Sequence, residues 1–354
     1  MSPLKIQRTP NKIPTRIKIP RDRIDNGNNL GTNFQPNSHY FQVRVNEMYL
    51  SGSRQWFSKY DPLVFCASEF IYNKQIETVP FLVGPSLVEK YGQKVPNGMI
   101  FANTRVAGLH PYRGGKLAFS LILCRVQRLN YATELLKLVE STASVVDFST
   151  SLSTYSKIAG VVLDGLESLL GLGKTESLIG IRQEFDPSAG DEFKPGFFAL
   201  IDQPESQLDV EQFWVREQQL VYGPSLATAK PFREADYILY SLVQTSERQD
   251  ETTLPFYPLY EKVKEAATIP NPRSWRRAKA NMLTLLQNLV ISPDLTPLQV
   301  RILTNKYVAE MRELYAAAVK LGSLGAEEFD IGNLEDSDIN TILDKGVEIL
   351  ELEL

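Results

Sequence analysis

NYATELLKLVESTASVVDFSTSLSTYSKIAGVVLDGLESLLGLGKT, residues 130 to 175, is the one clearly helical passage between Tyr40 and Ser246, and the text on either side of it reads as strands. Leu135, Leu138, Val139, Ala143 and Val146 recur at helical spacing in its first half; Leu152, Tyr155, Ala159, Val162, Leu166 and Leu170 do so in its second. The pattern predicts a pair of helices inserted into a β domain. Lys157, Asp164 and Ser168 lie opposite the second stripe, so one face is wet and the other must pack on a sheet or a partner.

Upstream, HYFQVRVNEMYL alternates at Phe41, Val43 and Val45, and PLVFCASEFIY and IETVPFLVG come next at the spacing of an antiparallel sheet. Pro80 marks the third run as an edge strand. MIFANTRVAGLHPYRGGKLAFSLILCRVQR reads as two strands joined by the loop HPYRGG, where Pro111 and Gly114-Gly115 supply the turn. Downstream, SLIGIRQEF, PGFFALID, QFWVREQQLVYG and ADYILYSLVQTSE read as four more strands. GPSL occurs at both Gly84–Leu87 and Gly223–Leu226, which Gly-Pro-Ser as a strand stop explains without a repeat. Strand and helix do not alternate, so the predicted fold class is α+β: an antiparallel β-sandwich-like domain over 38–256 with the helical pair at 130–175 inserted.

From Pro258 the period becomes helical and stays so, predicting an all-α C-terminal domain over 257–354. PLYEKVKEAATI is a short helix, and RSWRRAKANMLTLLQNLVI a longer one with Trp275, Leu283, Leu286, Leu289 and Val290 expected on its apolar side. Thr296-Pro297-Leu298-Gln299 supplies an N-cap, a first-turn proline and a capping-box partner for the next. A last acidic helix is expected from Ser337, with Ile339, Ile342, Leu343, Val347 and Leu350 as its stripe.

The chain has 354 residues, 43% hydrophobic and 23% charged, which is enough for two cores. Residues 1–37 carry five prolines and a polar cluster, the composition of a disordered basic arm with a charge of +5 over its first 25 residues. No secretory leader or transit helix is expected in MSPLKIQRTPNKIPTRIKIPRDR, which lacks an apolar core, and no window predicts a transmembrane segment. Two cysteines, each inside an apolar run, argue against a disulfide framework, so a cytoplasmic setting is expected. The charge is polarised. Residues 326–354 hold ten acids against Lys345 alone, a charge of −9.

Gly173-Lys174-Thr175 resembles the end of a phosphate loop, but Ser168 stands where a glycine belongs and the segment closes a helix instead of opening one. No cofactor is expected. Cys66 and Cys124 read as buried strand residues, and two histidines cannot make the usual zinc site without a carboxylate, so neither a catalytic residue nor a metal ligand is assigned. Asp186, Asp191 and Glu192 lack calcium-loop spacing and read as a turn. His110, Tyr112 and Arg113 form the best candidate for an exposed polar binding cluster. Arg273, Trp275, Arg276 and Arg277 form a second, where cations oppose the dipole of the helix they open and call for something acidic.

In HPYRGGKLAFSLILCRV and ADYILYSLVQTSER the chain resembles accessory proteins of bacterial multi-gene conflict (defence) systems. The resemblance covers about a quarter of the chain, brings no catalytic residue, and implies an adaptor or a target of another subunit. The expected function is therefore a non-enzymatic protein-interaction component with one or more protein partners, self-association included. Nucleic acid is the less favoured partner for a chain of net charge −4. The alternatives are a membrane-disrupting effector using 130–175 and a hydrolase with unassigned acidic groups. Asp164 and Glu167 weigh against the former, because surface-seeking helices are usually basic.

Overall fold

The computed structural model describes residues 14–27, 30–51, 54–55, 58–72, 75–83, 93–95, 98–127 and 175–323. The expected helical pair before Thr175, the segment at 84–92, the first 13 residues and the acidic helix from 337 lie outside them. Among the described residues the fold is mixed α+β, with antiparallel sheets and three helices toward the C-terminal end. The chain divides into two compact units, 1–246 and 247–354.

In the first unit the described strands are β1 (Thr15–Ile19), β2 (Tyr40–Tyr49), β3 (Arg54–Gln55), β4 (Ser58–Tyr72), β5 (Gln75–Val83), β6 (Gln93–Val95), β7 (Gly98–Pro111), β8 (Leu117–Gln127), β9 (Thr175–Phe185), β10 (Gly196–Ile201), β11 (Phe213–Arg216), β12 (Gln219–Tyr222), β13 (Lys230–Pro231) and β14 (Tyr237–Thr245). One sheet has the order β1-β10-β14-β2-β7-β6; a second runs β5-β4-β8-β9, with β3 pairing the start of β4; β11-β12-β13 form a third, small sheet. Pro80 sits on β5, whose described partner is β4 alone, where a missing N–H costs no ladder bond.

Strand alternation sorts the side chains. Val64 and Cys66 of β4, Phe119, Leu121 and Leu123 of β8, and Val79 and Phe81 of β5 share one buried cluster with Phe41, Val43 and Val45 of β2 and Tyr240 and Leu242 of β14. Residues of both large sheets therefore meet in one core. Each Leu or Phe so buried contributes about 1.5–3 kcal/mol of transfer free energy. On the other face of the first sheet, Ile17, Ile19, Tyr49, Ile201, Tyr237 and Leu239 bury against Phe213, Val215, Leu220 and Phe232, so the small sheet covers that face.

Two expectations change here. From residue 14 the arm is not disordered: Thr15–Ile19 pairs with Ile201–Phe197, and Ile17 and Ile19 bury into the core. The alternation in TRIKI supplies apolar side chains on one face, and burying them offsets the cost of ordering the backbone. QFWVREQQLVYG is not one strand but the hairpin β11–β12, turning at Glu217 (φ 49°) and Gln218 (φ 64°).

The second unit begins at Glu247, ahead of the expected 257, because Leu254 and Phe256 belong to the helical core. Its described helices are α1 (Tyr257–Ala267), α2 (Pro272–Val290) and α3 (Pro297–Ser323). Asn271 caps α2 by accepting from Ser274 N at 2.8 Å, and Thr296 Oγ1 caps α3 by accepting from Gln299 N at 3.1 Å. Tyr260 of α1 stacks on Tyr307 of α3 at 3.8 Å between centroids, and Trp275 of α2 on Tyr315 of α3 at 4.3 Å. The buried Arg248 locks the entry segment to the α2–α3 turn, meeting Asp250 through two bonds of 2.8 and 2.9 Å and donating to the Asp294 carbonyl at 2.9 Å.

Candidate interaction surface

The first candidate cluster is not on the surface. His110 is the penultimate residue of β7, opposite Phe41, and only 1% exposed; its Nε2 lies 3.1 Å from Ser68 Oγ on β4, tying one large sheet to the other. Tyr112 is buried, its ring 5.3 Å from Phe193 and 6.0 Å from Phe34, while its N–H donates to the His39 carbonyl at 2.8 Å. Arg113 is half-buried. Gly114, at φ 82°, makes the turn, so HPYRGG keeps its turn glycine but its His and Tyr close the core. Nothing in the local text distinguishes this, since the burial comes from strands far away in sequence.

The cysteines are equally committed. Burial pushes both the Cys66 and the Cys124 thiol up to about 12, so neither supplies a thiolate near neutral pH. Asp186, held down to about 2 by Lys116 and by Ser188, caps the turn Pro187–Ala189. Among the described residues no group of His, Cys, Asp and Glu converges as metal ligands would.

One buried polar network was invisible in the sequence. Where β2 runs between β14 and β7 the register slips: Leu239 faces Glu47 and Tyr240 faces Val45, leaving Asn46 as the extra residue of a bulge. A bulge puts two consecutive side chains on one face. Asn46 Nδ2 accordingly donates to Gln218 Oε1 at 3.0 Å, while the fully buried Glu47 accepts from Leu220 N at 2.9 Å and from Arg233 Nη2 at 2.7 Å. Arg233 also donates to the Tyr237 hydroxyl and lies 4.9 Å over the Tyr49 ring. Burial raises the Glu47 pKa, and Arg233 and the Leu220 amide oppose the rise. Both carboxylate oxygens are engaged in clamping the small sheet to the large one, which makes this a structural device.

The second candidate cluster divides. Trp275 belongs to the core, packed on Tyr315. Arg273, Arg276 and Arg277 are exposed in the first turns of α2, where there is no acidic residue and no ion pair to a described residue. Leu283, expected on the apolar side, is 40% exposed, because Met282, Leu285, Leu286 and Leu289 take the buried side. At 100° per residue, Arg273, Arg276, Arg277, Ala280, Leu283, Gln287 and Ile291 fall within an arc of roughly 120°. All are exposed, Ile291 to 68%. The solvent face of α2 is thus basic at its start and apolar farther along.

No helix among the described residues is long and apolar enough to cross a membrane. No known protein family, curated protein or solved structure matches the chain.

Proposed function

We propose that the chain is a non-enzymatic adaptor of a multi-protein assembly, of the kind its resemblance to bacterial defence-system accessory proteins implies. In this reading a sandwich-like domain of two large sheets carries an all-helical domain, and the helical domain does the binding. The observation that carries it is the exposed face of α2, where Arg273, Arg276 and Arg277 precede Leu283 and Ile291. Arg273 in the first turn opposes the helix dipole by about 0.3–1 kcal/mol, and Arg276 and Arg277 add like charge just beyond it, a cost that an acidic partner relieves. The apolar half of the face suits a partner with apolar residues at helical spacing and gives a nucleic acid backbone nothing to bind. The cytoplasm is the compartment this reading assigns. Further support comes from the first unit, where His110, Cys66 and Cys124 are spent on packing and Glu47 on a structural clamp.

Fluorescence anisotropy of the intact chain tests this, with a labelled acidic amphipathic peptide and a single-stranded oligonucleotide of equal charge as competing probes. Peptide binding that disappears in Arg276→Glu/Arg277→Glu supports the reading. Oligonucleotide binding with a steep salt slope, and none of the peptide, overturns it.

A further inference from the structure

We infer that the strap from Gly31 to Ser38 is latched by the neutral form of His39 and comes loose when mild acid protonates that ring, uncovering the aromatic seat of Phe34. The device lies wholly in the first unit and is independent of the α2 face.

The strap has turns but neither helix nor strand, and most of it is exposed. Phe34 is the exception: it is buried in the core shared by the two large sheets, stacked on Phe193 at 4.1 Å between centroids and edge-on to Tyr112 at 6.0 Å. The polar fastenings converge on the residue that follows the strap. His39 Nδ1 accepts from the Gln35 N–H at 2.8 Å and from Gln244 Nε2 of β14 at 2.8 Å, and the same Gln244 amide donates to the Asn33 carbonyl at 3.0 Å. Both donors are fixed in that role. A backbone N–H can only donate, and the bond to Asn33 turns the nitrogen of the Gln244 amide, not its oxygen, toward the ring. Nδ1 must therefore present a lone pair, with the proton of the neutral imidazole on Nε2.

A proton added at Nδ1 faces two donors. The Gln35 N–H loses its acceptor, and Gln244 must let go of the ring. What then holds the strap is Phe34, the bonds from Phe34 N to the Phe193 carbonyl at 3.1 Å and from Asn37 N to the Tyr112 carbonyl at 2.7 Å, and Arg21 on the Gly31 carbonyl. Asn37 sits at φ 62°, a left-handed conformation that opening relieves. Burial alone holds the His39 pKa below the ordinary 6.5; the ionisable groups on the elements around it, Arg21, Tyr112, Arg113 and the Glu192–Lys194 pair, add neither attraction nor repulsion. Between that lowered value and 6.5 the open strap binds more proton than the closed one. Closure is therefore strongest above 6.5 and weakens as pH falls toward the folded value.

The test follows the intact chain by NMR and hydrogen exchange between about pH 7 and pH 5, where an imidazole changes charge. His39 should be the Nε2–H tautomer at neutral pH and titrate below 6.5. Exchange in 31–38, corrected for the pH dependence of the chemical step, should speed up by about tenfold for each unit of pH between 6.5 and that midpoint, while 197–201 stays protected. His39→Asn keeps an acceptor oxygen and cannot titrate, so its strap exchange should be flat with pH. An Nδ1–H tautomer, a midpoint at or above 6.5, or strap exchange that ignores pH in the native chain overturns the latch, whether or not the variant folds. So does a pH dependence that persists in His39→Asn, which would assign it to another group.

Discussion

Arg233→Met should be among the most damaging single changes in the first unit. Glu47 has no exposed surface, and its two oxygens are held by Arg233 at 2.7 Å and the Leu220 amide at 2.9 Å. Removing one partner of a buried pair strands the other charge at about 3–5 kcal/mol. The arginine side chain is 25% exposed, so water replaces part of what it supplies and the lower value, about 3 kcal/mol, is expected. Glu47→Leu orphans the Leu220 amide, at about 2 kcal/mol, and frees Arg233 to reach water. The double variant keeps only the orphaned amide, again about 2 kcal/mol. The cycle should then close with a coupling of about 3 kcal/mol. The sign with pH comes from the raised Glu47 pKa. Between the ordinary value of 4.5 and its raised folded value the native state binds more proton, so stability falls as pH rises through that window. Loss of Arg233 extends the window upward, and the variant should lose less stability in mild acid than at neutral pH. Urea titration read by hydrogen exchange in 213–222 reports the first unit alone. A cost below about 1 kcal/mol for Arg233→Met, the regime of exposed pairs, or single costs that simply add, refutes the clamp.

Cys66 and Cys124 should resist a thiol reagent at pH 8 in the native protein and react after denaturation; rapid native labelling would contradict their burial. Lys116→Met should let the Asp186 pKa climb from about 2 toward 3.8, so the share of stability it supplies above pH 3.8 shrinks and the window over which that share is lost as pH falls narrows; carboxyl NMR titration reads the pKa directly. Thr296→Ala should cost about 1 kcal/mol through the lost cap on Gln299 N, read by exchange within α3 and leaving 213–222 unchanged.

Much of the architecture was legible because half-buried strands write their alternation into the text. HYFQVRVNEMYL, PLVFCASEFIY and IETVPFLVG become β2, β4 and β5, and the Thr296 cap sits where its side chain meets Gln299 N. Local text failed where a distant partner decides the outcome. β1 looked like part of a proline-rich arm because its partner, β10, is far downstream. The β11–β12 hairpin escaped notice because Glu217-Gln218 is not a usual turn pair; residues at positive φ are normally Gly or Asn. His110 and Tyr112 read as surface for the same reason: residues such as Phe34, Phe193 and Ser68 bury them, and none adjoins HPYRGG. Leu283 failed differently. The leucine, valine and methionine positions in 282–290 overfill one face, and which of them stays outside is decided by packing on α1 and α3.

The claim that the face of α2 docks an acidic protein segment is tested most directly by an environment-sensitive dye on Ala280→Cys, three residues past Arg277 on the same face. Titrating the intact chain with the acidic amphipathic peptide should shift the emission to the blue and saturate, and Arg273→Glu/Arg276→Glu/Arg277→Glu should abolish the shift without changing the melting temperature. Emission that the peptide leaves unchanged and only the oligonucleotide moves, or a blue shift that survives reversal of all three arginines, contradicts the account.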